Sequence, residues 1–467
     1  MSENTAKELK KKLFSSKKNG YEAFDGERTE RAYGFCEGYK DFLNAAKTER
    51  ECAALAREML EQAGFEEFDE FRGEPYPAGA KVYKIQRNKA VLAAVIGKKP
   101  AAQGVRIAAA HIDSPRLDLK PNPLYEDGEM GYFKTHYYGG IKKYQWPTVP
   151  LALHGVVCKA DSTEFSVNIG EDESDPQFVI TDILPHLDRE QMSRKTADII
   201  KGEELNVLVG SVPFNSEEES QQVKLGILNI LFEKYGMTED DFLSAELTLV
   251  PAAPSRDIGF DRSLIGGYGH DDRVCAYPAL RAVIEANEPE NTVLTVLADK
   301  EEIGSEGNTG MQSSFLKDFI ADLARLEGVQ ARDVLRKSSC LSADVNAAFD
   351  PSFPQPFEKN NTAYINHGVC VTKYTGARGK SSTNDASAEY MGKIRCILDK
   401  NDVLWQAGEM GAVDAGGGGT VAMYIANLDV DTVDVGVPVL SMHSPFEVVS
   451  KLDVFSAFEA FSAFFAD

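Results

Sequence analysis

The chain has no run of about 18 apolar residues, so no stretch of it reads as a transmembrane helix. Its first residues, MSENTAKELKKKLF, lack the apolar core of a signal peptide. Paired cysteines are missing as well: the seven at positions 36, 52, 158, 275, 340, 370 and 396 are scattered and odd in number. That pattern argues against a disulfide framework and against a cysteine zinc site, and the expectation is a protein of the reducing cytoplasm. Basic charge is also short, with 50 Lys and Arg against 73 Asp and Glu, a formal net charge of -23. A field of that sign repels phosphate backbones, which excludes nucleic acid as a partner. The local cluster Lys7, Lys10, Lys11, Lys12, Lys17 and Lys18 reads as a solvated helix face. No Gly-x-Ser-x-Gly elbow occurs, and AGGGGT at 415–420 lacks the Lys-Ser/Thr ending of a phosphate loop, so it reads as a tight turn.

What is present is an ordinary globular composition, 43% hydrophobic and 26% charged, in 467 residues, more than one core usually organises. Residues 4–66 carry apolar positions at three- and four-residue spacing and read as helices closed by Gly64. KVYKIQR and KAVLAAVIG flank Asn88 as strands of a hairpin, and GVRIAAAHID reads as a buried strand that ends in polar residues. From about Leu117 short β-like runs dominate, including YFKTHYY, VPLALHGVVC and TEFSVNI, and they continue to about Pro254. Strand and helix alternation then resumes, and the final run LDVFSAFEAFSAFFA sets Phe455, Phe458, Phe461 and Phe465 on one helical face as core. The expected fold is α/β: a discontinuous domain of residues 1–116 and 255–467, interrupted by a β-rich insertion of residues 117–254.

Only seven histidines occur, and two of them follow apolar runs at expected strand ends: His111 after IAAA, and His443 after VGVPVL. Carboxylates arrive at similar places: Asp271 and Asp272 in GHDDR, Glu301 and Glu302 in DKEEIGSEGNTG, and Asp344 in LSADVN. Buried carboxylates are costly without a partner, and several together with imidazole suit zinc or a neighbouring divalent metal. Three ligating carboxylates leave a single zinc site negative by one, whereas two zinc ions leave it positive by one. Such a pair turns water into a nucleophile near neutral pH. Asp113, two residues from His111, can share its side of the strand and orient the imidazole. If the strand is regular, adjacent Glu301 and Glu302 point to opposite sides, so one can ligate while the other faces the attacking water. A phosphatase would want basic residues beside the metals, and few lie near these motifs.

The blocks HIDSPRLDLKP, YYGG, GHDDR, DKEEIGSEGNTGMQSS, SADVNAAFDP, GGGGT and MHSPFE, in this order over nearly the whole chain, resemble the aspartyl aminopeptidase family of zinc exopeptidases. YYGGIKKYQWP is similar to its bacterial probable-aminopeptidase branch. The resemblance implies hydrolysis of the N-terminal peptide bond of peptides with two zinc ions per subunit. It implies His111, Asp271, Glu302, Asp344 and His443 as ligands, Asp271 bridging, Glu301 as general base and Asp113 supporting His111. It further implies that the insertion is a dimerisation domain, that twelve subunits assemble, and that His186 in LPHLD contacts a neighbouring subunit's site. Where eukaryotic members carry a lysine for an acidic substrate side chain, this sequence has Thr372 with Lys373 beside it, and Arg378 and Lys380 follow. A preference for N-terminal Asp or Glu and a broad or leucine-type preference therefore stand side by side, with a non-catalytic assembly protein as the alternative from another class.

Overall fold

The computed structural model describes residues 3–15, 18–215 and 220–467. Lys17 of the basic cluster lies outside them, while Lys10, Lys11 and Lys12 occupy the exposed last turn of a helix, Glu3–Leu13. Three sheets organise the chain. The largest has nine strands and takes them from both ends of the sequence, between Glu66–Glu67 and Asp431–Gly436. A seven-stranded antiparallel sheet takes all of its strands from residues 116–251. A five-stranded sheet is built from Arg256–Ile258, Leu264–Gly267, Glu447–Ser450, Pro438–Leu440 and Asn346–Ala347, in that order.

In the large sheet the expected hairpin is present: Lys81–Gln86 pairs antiparallel with Ala90–Val95 across a turn in which Arg87 and Asn88 both have positive φ. Its centre is parallel, with Val293–Ala298, Arg106–His111, Ser339–Ser342 and Asp431–Gly436 side by side. These strands are buried on both faces, which is why they read as near-continuous apolar runs. Alternate residues serve two cores. Ala108, Ala110 and Leu297 face helices Gly26–Ala45, Glu49–Gln62 and Lys451–Ala466, while Ile107, Ala109 and Val296 face helix Phe315–Leu326.

Two expectations change in detail. The C-terminal helix, capped by Ser450, buries Phe455, Phe458, Phe461 and Phe465 as read from the sequence. It buries Phe464, Asp453 and Ser456 too, so it is a core helix enclosed nearly all round rather than a one-faced one. The β-rich segment also contains a helix, Gln222–Tyr235, whose Leu225, Ile230 and Phe232 are exposed. Because apolar residues lie on several of its faces, the segment has little helical periodicity to detect.

Candidate metal centre

Four parallel strands end side by side, and the residues just past their carboxyl ends converge. His111 is the last residue of its strand, Asp344 lies two residues beyond Ser342, and Glu301 and Glu302 lie beyond Ala298. His443 follows Pro438–Leu440 of the five-stranded sheet. Asp271 lies four residues past the end of Leu264–Gly267, in a kinked, non-helical stretch at the start of helix His270–Glu285. Close approach of the chain is built in at Gly436, where a Cβ would fall 1.6 Å from the Asp344 carbonyl oxygen. The end of strand Asp431–Gly436 can therefore pass directly behind Asp344.

Asp271 is the centre of the arrangement. Its Oδ1 lies 3.2 Å from His111 Nε2 and its Oδ2 lies 3.1 Å from His443 Nε2. Asp344 Oδ1 and Glu301 Oε2 each lie 3.9 Å from His111 Nε2, and Glu302 Oε2 lies 3.6 Å from His443 Nε2. Ligand atoms of His111, Glu301 and Asp344, and separately of His111, Asp271 and Glu302, fall within 4.8 Å of one another. Among the described residues, the buried oxygens Asp271 Oδ1, Asp272 Oδ1 and Glu302 Oε1 accept no hydrogen bond. Orphaned carboxylate oxygens beside two imidazoles are what a divalent cation would satisfy, so the donor set fits zinc.

The charges of these side chains strain against their burial. Burial disfavours ionised Asp271, but the His111 and His443 imidazoles outweigh it and hold the carboxyl below its usual range. Burial pushes Asp344 and Glu302 well up, with neighbouring carboxylates adding to the effect. Glu301 is pushed up to about 7, first by burial, with Asp113 and Asp271 reinforcing it against His111. His443 is raised to about 10 because Asp271 and Glu302 outweigh burial. A cation among these groups would relieve the carboxylate crowding.

Asp113 is fully buried, with Oδ1 3.3 Å from His111 Nδ1, and its backbone carbonyl lies 3.0 Å from the same nitrogen. Its carboxylate also accepts the backbone N–H groups of Glu301 at 3.1 Å and Glu302 at 3.2 Å, and the Tyr138 hydroxyl at 2.7 Å. The two glutamates are not on a strand. The strand ends at Ala298, Lys300 turns with φ of 67°, and Glu301–Ile303 forms a short 3-10 turn that sends one carboxylate toward each histidine. The two carboxylates do point to different partners, but because of this turn and not through strand alternation.

Comparisons with known proteins identify the family. The family model described as aminopeptidase I zinc metalloprotease (M18) matches residues 42–465. The chain belongs to the M18 family. It is a zinc-dependent aminopeptidase of that family, and curated relatives carry the same name over almost their full length. A probable M18 family aminopeptidase 1 of Clostridium acetobutylicum is 47% identical over 458 residues, 97% of this chain and 98% of the relative. The crystal structure of an M18 aminopeptidase from Thermotoga maritima superposes with a TM-score of 0.93 at 43% identity, covering 97% of this chain and 99% of that one. A structure of the S. cerevisiae mApe1 dodecamer, at 21% identity and a TM-score of 0.75 over 92% of this chain and 95% of that one, shares the fold.

Beside the M18 residues lies a cleft of about 440 Å³ whose lining includes Asp271, Glu301, Glu302, Asp344 and His443, and also Met410, Met423, Tyr424 and Met442. Gly417, Gly418, Gly419 and Thr420 form part of its wall, so the glycine run is a loop, as read, but one that borders the site. Neither Lys373 nor His186 lines it. Lys373 is exposed and pairs with Asp385 at 3.6 Å, and His186 is exposed in a turn of the insertion. Sequence reasoning assigned no role to Glu447, Tyr138 or Gly140, although MHSPFE and YYGG contain them; only a geometry joining distant segments reveals what they touch.

Proposed function

We propose that the protein removes N-terminal residues from peptides with a pair of zinc ions bridged by Asp271. His111 and Asp344 would serve one ion, and His443 and Glu302 the other. The observation that carries this reading is the placement of the two Asp271 oxygens 3.2 and 3.1 Å from two different imidazoles. Two zinc ions held there would polarise the scissile carbonyl and lower the pKa of the attacking water. Glu301, placed beside His111 and held through its backbone by Asp113, would take the proton of that water and return it to the departing amine. Asp113 fixes the His111 ring and, through two backbone amides, the placement of both glutamates.

Among the described residues the cleft wall contains no Lys or Arg, while Val345, Met410, Met423 and Met442 contribute apolar surface. This supports a broad or leucine-type preference over an N-terminal Asp or Glu, since Lys373 and Lys380 are both engaged with Asp385. The domain division 1–116, 117–254 and 255–467, with the insertion as a dimerisation domain and a dodecamer as the assembly, is part of the same proposal. Exposed Ile183, Leu184 and Leu187 around His186, and the exposed face of helix Gln222–Tyr235, support an interface there through which His186 reaches a neighbour's site. Seven free cysteines suit a cytoplasmic enzyme, and no described helix is long and apolar enough to cross a membrane.

Titrating the apoprotein with zinc, with a panel of aminoacyl amides as substrates, tests the reading. Activity should return with two equivalents, and leucine amide should exceed aspartate amide by roughly tenfold or more in kcat/KM, the scale a mismatched side-chain pocket produces. Full activity with one tightly bound equivalent would overturn the ion pair. Preference for aspartate amide would overturn the apolar pocket.

A further inference from the structure

Glu447 is a carboxylate that neither binds substrate in the scheme above nor faces the cleft, yet it is buried to 1% exposure. Its Oε1 accepts the backbone N–H of His443 at 2.7 Å, and its Oε2 accepts the backbone N–H of Asp271 at 3.1 Å. One side chain thus ties together the peptide backbones of two proposed ligands that are 172 positions apart in the chain. We propose that Glu447 is a positioning residue of the metal centre, setting the separation and orientation of Asp271 and His443. The proposal rests on the two-ion reading of the site.

The topology explains why this residue has that reach. Glu447–Ser450 is the middle strand of the five-stranded sheet. On one side it pairs with Leu264–Gly267, the strand that runs into Asp271, with Glu447 opposite Gly267. On its other side it pairs with Pro438–Leu440, the strand that runs into His443. Asn346–Ala347, just past Asp344, completes the sheet. Glu447 therefore stands at the end of the strand lying between the approaches to two ligands, where both chains have left the sheet and lack ladder partners. A side chain of its length, with two carboxyl oxygens, supplies acceptors for the two amides that the ladder no longer pairs.

His443 needs such a tether. Its φ is 64°, as is unusual for a residue with a side chain, and Ser441 just before it has φ of 57°. A conformation of that kind persists only where surrounding contacts fix it. The backbone bond to Glu447 and the 2.7 Å contact of His443 Nδ1 with the Gly140 carbonyl are the two contacts that do so. The same device recurs at the other groups: Asp272 Oδ2 accepts the His111 N–H at 3.3 Å, and Asp113 accepts those of Glu301 and Glu302. Three carboxylates outside the proposed ligand set thus hold five backbone amides, and Glu447 links two proposed ligands that follow different strands of the small sheet.

Glu447→Gln keeps the length but presents a donor to one of the two amides. The experiment measures affinity for each of two cobalt(II) ions and the visible d–d absorption of the loaded protein, with wild type and Val167→Ala, a core change in the insertion, as references. Wild type binding two ions establishes the site; failure there sinks the two-ion reading before Glu447 is in question. With that established, Glu447→Gln should lose about 10–100-fold in affinity for the weaker ion, the usual scale for groups that orient ligands, and should shift the cobalt spectrum. Val167→Ala should lower the Tm without moving the spectrum. A spectrum and two affinities like those of wild type, whatever the Tm, would overturn the proposal. If Glu447→Gln does not fold, Glu447→Asp serves, because it keeps the charge but is a methylene too short to span both amides, and wild-type affinity and spectrum there would overturn it equally.

Discussion

The two halves of the centre are built differently although they share Asp271. The His111 half is made by the large sheet: His111 is 1% exposed, and Asp344 comes from the adjacent parallel strand. The His443 half is made by a loop of the small sheet, and the His443 side chain is 34% exposed beside the cleft. Buried strand ends fix the inner histidine through the sheet itself, whereas the loop histidine takes its position from single contacts with Glu447 and the Gly140 carbonyl.

Substitution at the adjacent glutamates breaks this comparison most sharply. Glu301 leans toward His111 and Glu302 toward His443. Glu301→Gln should lower turnover by roughly two to four orders of magnitude while leaving metal content and binding of an uncleaved substrate analogue nearly unchanged. Glu302→Gln should lower metal occupancy as well, since it weakens a ligand. Zinc stoichiometry and turnover of both variants check this, and near-normal turnover of fully loaded Glu301→Gln would remove Glu301 from the role of base.

A smaller effect separates ligand from support. His443→Ala should release the outer ion readily on dialysis. Asp113→Asn should retain most of its metal while activity falls about 10–100-fold, because Asp113 only orients a ring and a turn. Equal metal loss in the two purified variants would make Asp113 a ligand and erase the distinction.

How much of this was visible beforehand follows from range. Apolar runs that stop at a histidine or an aspartate announce buried strand ends, and IAAAH and LSAD did so because their strands are enclosed on both faces. The seven-stranded sheet announced itself through short alternating runs. What stayed hidden depends on contacts between distant segments or on local turns. Lys300 in the left-handed region sets the glutamates, and nothing in DKEE signals it. Glu447 acts through amides 4 and 176 residues away. The glycine run looked like a plain turn because its bordering of the cleft exists only once Met410 and Tyr424 are folded beside it.

The gentlest way to probe the two halves is pH, acting on the apoprotein. His443 is raised to about 10 and His111 well above its ordinary value, in each case because neighbouring carboxylates outweigh burial. Both shifts favour the protonated imidazole in the apoprotein, so zinc competes with protons at each histidine. The sign follows: stability contributed by the His443–Asp271 pair is complete below an imidazole's unfolded pKa and is lost as pH rises through about 10. Apparent zinc affinity runs the opposite way, rising with pH by up to roughly tenfold per unit for each proton displaced. Competition titrations against a chelator at about pH 6, 7 and 8 measure the slope for each ion. The halves should then part in Asp113→Asn, because Asp113 contributes to raising His111 and lies 3.3 Å from its Nδ1. That variant should flatten the slope of the inner ion and leave that of the outer ion unchanged. A slope of zero for both ions in wild type would mean that the imidazoles are already neutral, and equal flattening of both in Asp113→Asn would mean that the two halves titrate as one unit.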